Sequence, residues 1–323
     1  MQYQLLRGTG ITVSRVCLGT MTFGHQADEA ASVRMLEMAL DAGVNFIDEA
    51  DVYVGGRSEE ILGRALKGRR HRLVLASKVC NFVGEDRRKD AGLHRWHLIR
   101  GVEASLRRLQ TDCLDLCYLH KPDPNTPIEE TLAAFDTLVQ QGKVIYLGMS
   151  NFASWQVCEA LWRCDVKRWS PPAVMQVPYN LITRSLDEEC VAFSQRMNQG
   201  IVVYNPLAGG LLTGKHAGAR GPEKGTRFEL NRDYYGRYWN EVNHAAVESL
   251  RQLAEEAGKT MTQLSLQWLM AQAHVDSVIL GASRPEQLEE NLRSLDGGLD
   301  QGTLEACDAV WRRVRGDHFA YNR

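Results

Sequence analysis

Residues 114–151 read LDLCYLHKPDPNTPIEETLAAFDTLVQQGKVIYLGMSN. The stretch opens on an apolar run at Leu114, crosses a polar loop and reaches Thr126-Pro127-Ile128-Glu129. That tetrapeptide predicts a helix start, with Thr126 as N-cap, Pro127 at the first helical position and Glu129 closing a capping box. From Ile128 to Gln140 apolar residues recur at helical spacing, and a second apolar run begins at Val144, 30 residues after the first. A strand, a helix and a strand in that length make one crossover unit of a parallel sheet.

The same unit repeats in both directions. Apolar runs rich in β-branched residues begin at Val16, Val44, Leu73, Leu114, Val144, Val174, Ile201 and Val278. Helical patterns separate them, at residues 30–42, 98–109 and 186–197, and two more at 242–256 and 261–272 precede the last run. Strands alternating with helices predict a parallel sheet covered by helices. Eight units without a linker or a break in composition predict closure into a single (β/α)8 TIM barrel domain spanning residues 1–323. The first residues, with Gly8-Thr9-Gly10 between two short extended stretches, predict a β-hairpin capping the barrel bottom. Extra C-terminal helices, the last at residues 304–314, end the α/β fold. An open doubly wound sheet is the alternative. It calls for a dinucleotide fingerprint after the first strand, and Gly8-Thr9-Gly10-Ile11-Thr12-Val13 lacks the third glycine.

Composition narrows the function. Hydrophobic residues make up 44% and charged residues 24% of 323 residues, enough for a sizeable core. The net charge of −2 gives no field that draws the chain to nucleic acid or an anionic membrane. No apolar run reaches the ~18 residues of a membrane span, and no leader-like apolar segment follows Met1. The eight cysteines contain no C-x-x-C pair, so they read as reduced, mostly buried small residues of a cytoplasmic protein. His94 and His97 form an H-x-x-H without carboxylate or thiol partners, and are expected to be surface residues; no metal site is predicted.

In such a barrel, chemistry gathers at the C-terminal ends of the strands. Those ends carry Asp48, Tyr53, Lys78, His120, Ser150, Asn151, Gln176, Tyr204, Ser283 and Arg284. A tyrosine with an ordinary pKa near ~10 is a reluctant acid, and a lysine cation beside it is expected to lower that value. An aspartate would hold the lysine and a histidine would orient the substrate oxygen, which makes Tyr53 a general acid toward a carbonyl. None of these groups donates a hydride, so a cofactor must supply it.

Taken in order, several motifs resemble the aldo-keto reductase family over nearly the whole chain. They are Leu18-Gly19-Thr20-Met21-Thr22-Phe23-Gly24, Phe46-Ile47-Asp48 through Tyr53, Ser58-Glu59-Glu60-Ile61-Leu62-Gly63 and Ser77-Lys78. Leu119-His120-Lys121-Pro122-Asp123, Gly148-Met149-Ser150-Asn151-Phe152, Gln176-Val177-Pro178-Tyr179-Asn180, Pro206 through Lys215 and Gly281-Ala282-Ser283-Arg284 complete the series.

The resemblance implies a catalytic tetrad of Tyr53, Lys78, Asp48 and His120, a small-molecule carbonyl substrate, and NADPH in preference to NADH, without metal or flavin. It implies that Ser150, Asn151 and Gln176 bind the nicotinamide carboxamide and that Tyr204 stacks on its ring. Pro206, Leu207, Gly209, Leu211, Gly214 and Lys215 would lie along the pyrophosphate. Ser283 and Arg284 would meet the 2′-phosphate, with Gln287, Glu290 and Asn291 near the adenine end and Gly281 also binding the cofactor.

Some of these stretches also admit plainer readings. Gly209 to Lys215 nearly spells a P-loop, but His216 stands where Mg²⁺ needs Ser or Thr; backbone amides accepting a pyrophosphate remain the functional reading. Ser283-Arg284-Pro285-Glu286 is itself a capping box, although a helix N-terminus with an arginine also suits phosphate. Phe23 and Trp239 are candidates for the substrate pocket, and the aromatic segment 228–239 reads either as a lid or as plain packing.

One residue departs from the family. Thr or Ser usually follows the tetrad aspartate, and here Glu49 does; its side chain is expected to point away from Asp48, toward a cation behind the barrel wall or toward solvent. A nicotinamide-binding regulatory subunit on the same barrel is the alternative function. Fold alone does not decide between them, and the intact tetrad favours the enzyme. A barrel hydrolase would need paired carboxylates or a G-x-S-x-G elbow at the strand ends, and neither is present.

Overall fold

The structure is a computed structural model that describes residues 1–216 and 221–316. Strands β1 (Tyr3–Leu5) and β2 (Thr12–Ser14) form an antiparallel hairpin. Eight further strands follow: β3 (Val16–Gly19), β4 (Phe46–Asp48), β5 (Val74–Val79), β6 (Leu114–Leu119), β7 (Val144–Ser150), β8 (Pro172–Pro178), β9 (Gly200–Tyr204) and β10 (Ser277–Gly281). They pair in chain order and β10 returns to β3, closing a parallel barrel. Each strand starts within two residues of an apolar run read from the sequence, because a strand buried on both faces must be apolar almost throughout.

The crossover helices are α1 (Glu29–Asp41), α2 (Arg57–Ala65), α3 (Arg95–Leu109), α4 (Ile128–Gln140), α5 (Ser154–Lys167) and α6 (Cys190–Met197). Two short helices, α7 (Arg227–Leu230) and α8 (Arg232–Tyr238), precede α9 (Glu241–Glu256) and α10 (Met261–Ala271). After β10 come α11 (Pro285–Arg293) and α12 (Gln301–Arg315). The pattern at 186–197 resolves into a 3-10 turn, Ser185–Glu188, and the shorter α6.

The chain divides into two compact units. One comprises Met1–Val177, Phe193–Val202 and Asp276–Glu289, and the other Pro178–Ala192, Val203–Val275 and Glu290–Arg323. The first holds nearly all of the barrel. Its hairpin lies at the strands' N-terminal ends, where Arg7 Nε donates to Asp276 just before β10 (2.9 Å) and Ser14 N donates to Asn45 Oδ1 before β4 (2.6 Å). In the second unit, Arg184 bridges Asp187 and Asp308 and lies over the ring of the buried Trp268.

Both capping-box expectations need correction. Helix α4 starts at Ile128 with Pro127 as its N-cap, because the Thr126 hydroxyl donates to Asp123 Oδ2 (2.7 Å) and proline has no N–H for a reciprocal bond. At α11, Gln287 rather than Glu286 reaches back, and its Oε1 accepts from both the amide (3.0 Å) and the hydroxyl (2.9 Å) of Ser283. Nor are His94 and His97 a surface pair: His94 Nδ1 caps α3 by accepting from the His97 amide, and His97 is buried. Burial, with His94 nearby, lowers the His97 pKa. No metal-ligand cluster is found among the described residues. Among the described residues no disulfide joins any of the eight cysteines, and six of them are buried. No helix among the described residues is long and apolar enough to cross a membrane.

Candidate active site

Parallel register brings the first two site residues together. Asp48, the last residue of β4, pairs with Ala76 of β5, so Lys78, two residues on, points from the same face one step nearer the strand end. Lys78 is 1% exposed and its ammonium has three acceptors: Asp48 Oδ2 (2.5 Å), the Glu49 carbonyl (2.8 Å) and Tyr53 Oη (3.1 Å). An ammonium carries three protons, so the set is saturated. The other oxygen of Asp48 accepts from Gln176 Nε2 (2.7 Å).

Tyr53 opens a 3-10 turn, Tyr53–Gly56, after β4, its amide donating to the Ala50 carbonyl (3.0 Å). The next residue, Val54, has φ 51°. A β-branched residue in the left-handed region is strained, and such strain is held only where surrounding structure enforces it. Burial raises the Tyr53 pKa to about 12; the Lys78 cation pulls downward but does not prevail, and Asp48 adds to the rise. The expected lowering is therefore corrected, since desolvating a phenolate outweighs one lysine already neutralised by Asp48. For Lys78 burial works downward, but Asp48 and Tyr53 together hold the pKa above its ordinary value. Because Lys78 donates to Oη, the Tyr53 hydroxyl keeps its own proton free to give.

His120 follows β6, its ring edge-on to that of Tyr53 with centroids 6.3 Å apart. Asn81 Nδ2 lies 3.0 Å from His120 Nδ1. An amide nitrogen only donates, so Nδ1 accepts and the proton of the neutral ring sits on Nε2. Burial, then Lys78 and Lys121, push the His120 pKa down to about 3. The stability held by this depressed histidine is present above pH 6.5 and lost as pH falls through about 3. Nitrogen NMR is expected to show a neutral His120 ring at pH 5; a midpoint between 6 and 7 would contradict this assignment. Asn81 was not singled out from the sequence, because its loop carries no signal that it turns back to β6.

Ser150 ends β7 and Asn151 follows it. Asn151, with φ 64°, donates through Nδ2 to the His120 carbonyl (3.0 Å) and to Ser150 Oγ (3.0 Å). The structure thus brings Asp48, Tyr53, Lys78, His120, Ser150, Asn151 and Gln176 to neighbouring strand ends. Gly281, the last residue of β10, and Arg284 are exposed, and Ser283 and Gln287 hold each other. Glu290 is exposed and Asn291 buried.

Phe23, one of the two candidates for the substrate pocket, is 1% exposed. Trp239 belongs to an aromatic cluster of the second unit, stacked on Tyr235 and edge-on to His216, Phe228 and His244. Tyr204 ends β9, half-buried. In the segment after it Pro206 and Leu211 are buried, Leu207 and Gly214 half-buried and Lys215 exposed. The amides expected to meet a pyrophosphate are already bonded within the loop. Gly209 N donates to Asn205 Oδ1 (2.7 Å), Gly210 N to the Leu207 carbonyl (2.8 Å) and Gly214 N to the Leu211 carbonyl (3.3 Å).

Glu49 also departs from expectation: it meets neither a cation nor solvent. Fully buried on the barrel's outer face, it lies beside Thr20 and Ser58. Helix α2 covers this face, and Gly63 lets it approach α3: a Cβ there would stand 2.3 Å from the Arg108 carbonyl oxygen. Arg108 Nε in turn pairs with the buried Glu59 (2.7 Å), which also accepts from Ser77 Oγ (2.7 Å).

Comparison with known proteins agrees with this geometry. The profile of the aldo/keto reductase family matches residues 15–312. Human aldo-keto reductase family 7 member A3 is 37% identical over 332 residues, covering 97% of each chain. Human aflatoxin B1 aldehyde reductase member 2 is 36% identical over 315 residues, covering 92% of this chain and 86% of its own. A probable voltage-gated potassium channel subunit beta of Arabidopsis thaliana is 36% identical over 308 residues, covering 92% of each. With a closed eight-stranded barrel, a Tyr-Lys-Asp-His constellation at its strand ends and this similarity along its length, the chain belongs to the aldo/keto reductase family of oxidoreductases.

Proposed function

We propose that the protein reduces an aldehyde or ketone to an alcohol with NADPH, and that Tyr53 protonates the carbonyl oxygen. The observation that carries this reading is the saturated Lys78 ammonium, which donates to Tyr53 Oη and leaves the Tyr53 proton free for an incoming oxygen. His120 Nε2–H, fixed by Asn81, is a second donor to that oxygen and aligns it toward Tyr53. With a pKa near about 12, Tyr53 stays protonated at neutral pH and yields its proton only to a stronger base, such as the alkoxide that forms as the carbonyl is reduced. NADPH, when bound, supplies the hydride.

The donor set fits a nicotinamide nucleotide. Ser150 and Asn151 offer a hydroxyl and an amide beside Tyr53 and His120, matching a carboxamide, while Gln176 is committed through its nitrogen to Asp48. The exposed Arg284 guanidinium precedes Pro285 at the start of α11, where helix dipole and fork favour a phosphate. Mostly buried cysteines without disulfides fit a reducing compartment such as the cytoplasm.

The test is NADPH oxidation, followed by absorbance with a panel of aldehydes and ketones and repeated with NADH. Aldehydes come first, because one relative is named an aldehyde reductase. Arg284→Ala is expected to raise KM for NADPH about tenfold and leave that for NADH nearly unchanged, the size of one charge-assisted phosphate contact. Equal effects on both nucleotides would remove the 2′-phosphate from Arg284.

The second reading is a regulatory subunit whose partner senses bound nucleotide, favoured by the relative named as a potassium channel β subunit. Tight NADPH binding without turnover on any carbonyl would select it.

A further inference from the structure

Glu49 stands next to Asp48, but alternation along the strand turns its carboxyl to the opposite face, under α2. One oxygen, Oε1, accepts from the Ala50 amide (3.0 Å). The other, Oε2, lies 2.7 Å from Thr20 Oγ1 and 2.7 Å from Ser58 Oγ. Each hydroxyl is at the same time 2.9 Å from a backbone carbonyl, Thr20 Oγ1 from that of Asp48 and Ser58 Oγ from that of Thr20. There are thus four close oxygen–oxygen contacts. Each hydroxyl holds one proton, and a carbonyl oxygen holds none. With Glu49 ionised, two protons serve four contacts and two stay empty. With Glu49 protonated, Oε2–H donates to one hydroxyl, which passes its own proton to its carbonyl, and three contacts become hydrogen bonds.

We propose that Glu49 is held as a neutral carboxylic acid and is a positioning residue for the tetrad, its proton completing the bonds that fix the end of β4 behind Tyr53. This rests on the reductase reading above. The Glu49 carbonyl is one of the three acceptors of Lys78, and Thr20 Oγ1 reaches the carbonyl of Asp48, whose carboxylate is another, so the bonds that tie down the acid hold the backbone of two of the lysine's three partners.

The charges around Glu49 leave no cation for it. Glu59 of α2 faces it and is paired with Arg108 of α3, while Lys78 of β5 is paired with Asp48. Asp51, in the same loop, is buried too and raised well above its usual range, chiefly by burial and then by Glu59. Tyr53 lies on the far side of Lys78. Burial, with Glu59 adding to it, brings the Glu49 pKa up to about 8 against the pull of its hydroxyl and amide contacts. Ionisation would set an anion behind Lys78, contribute to the rise at Tyr53 and break the relay through Thr20.

The test is Glu49→Gln. An amide with its oxygen at Oε1 accepts from Ala50, and its nitrogen donates to both hydroxyls, so every contact is filled and the group cannot ionise. A carboxyl raised from 4.5 to about 8 contributes stability that is fully present below pH 4.5. That contribution is lost as pH rises toward and through about 8. The melting temperature of the wild type is therefore expected to fall relative to Glu49→Gln across that window, with a constant gap above it. At neutral pH the variant is expected to keep kcat/KM within about twofold. One unit above pH 8 the wild type falls about tenfold and the variant does not, because one ionisation removes tenfold per unit.

A Gln variant that is unfolded or inactive at neutral pH, or a melting gap independent of pH, would overturn the proposal by showing an ionised Glu49. An alkaline limb shared by both proteins would also overturn it. If the wild type reduces no carbonyl, the reductase reading fails instead. The melting gap and the Tyr53 phenolate titration, read by ultraviolet absorbance against Tyr53→Phe and expected at lower pH in Glu49→Gln, then still decide the state of Glu49 and its coupling.

Discussion

Tyr53→Phe is expected to lower kcat for carbonyl reduction by about 10²–10⁴-fold while leaving NADPH binding within about twofold, the range of a lost general acid. The phenyl ring fills the same space on the 3-10 turn after β4, so the fold around Val54 and Gly56 keeps its support. What disappears is the hydroxyl that accepts from Lys78 and carries the proton. Loss of one Lys78 acceptor costs about 1 kcal/mol, too little to unfold the protein. Turnover measured with a saturating carbonyl, beside nucleotide binding by fluorescence, checks it. A variant that keeps most of its kcat would show that the proton comes from elsewhere, with His120 the next candidate.

Lys78→Met is expected to damage both activity and stability. The lysine is buried and its partner Asp48 is almost equally so, with side-chain exposures of 1% and 4%. Removing the cation leaves Asp48 a buried carboxylate whose remaining partner among the described residues is Gln176 Nε2. Breaking a buried pair in this way costs about 3–5 kcal/mol, and melting should fall on the order of 10 °C. The double change Asp48→Asn with Lys78→Met removes both charges and should recover most of that stability. Activity should stay at the Tyr53→Phe level in both, because neither restores a cation beside the phenol. A single Lys78→Met protein as stable as the wild type would overturn the expectation that losing the cation strands a buried charge.

These two expectations could be framed from the sequence, since Asp48, Tyr53, Lys78 and His120 stand at the ends of successive apolar runs. Their pKa directions could not. The lysine was expected to lower Tyr53, yet burial wins and the phenol sits near about 12. A pairwise argument sees the cation but not the loss of water around it, which depends on every neighbour at once. Glu49 gives the same lesson. Strand alternation correctly turned it away from Asp48, but Ser58 and Thr20 became its partners only when α2 folded onto that face.

Local signals were read well where they are strong and alone. The Ile128 to Gln140 periodicity matches α4 residue for residue, and the barrel strands follow the apolar runs. They misled where a second partner competed for the same atoms. Asp123 takes the Thr126 hydroxyl, and Gln287 displaces Glu286 at α11.

The period of strands and helices is written in short-range hydrophobic spacing, which each segment expresses by itself, and so the barrel and the residue types at its strand ends follow from the chain alone. Which proton each of those residues holds is decided by contacts far apart in sequence, such as Gln176 with Asp48 and Lys78 with Glu49. Hydrogen bonds are allotted among all donors and acceptors within reach, and dehydration shifts every pKa among them; both exist only once the barrel has closed.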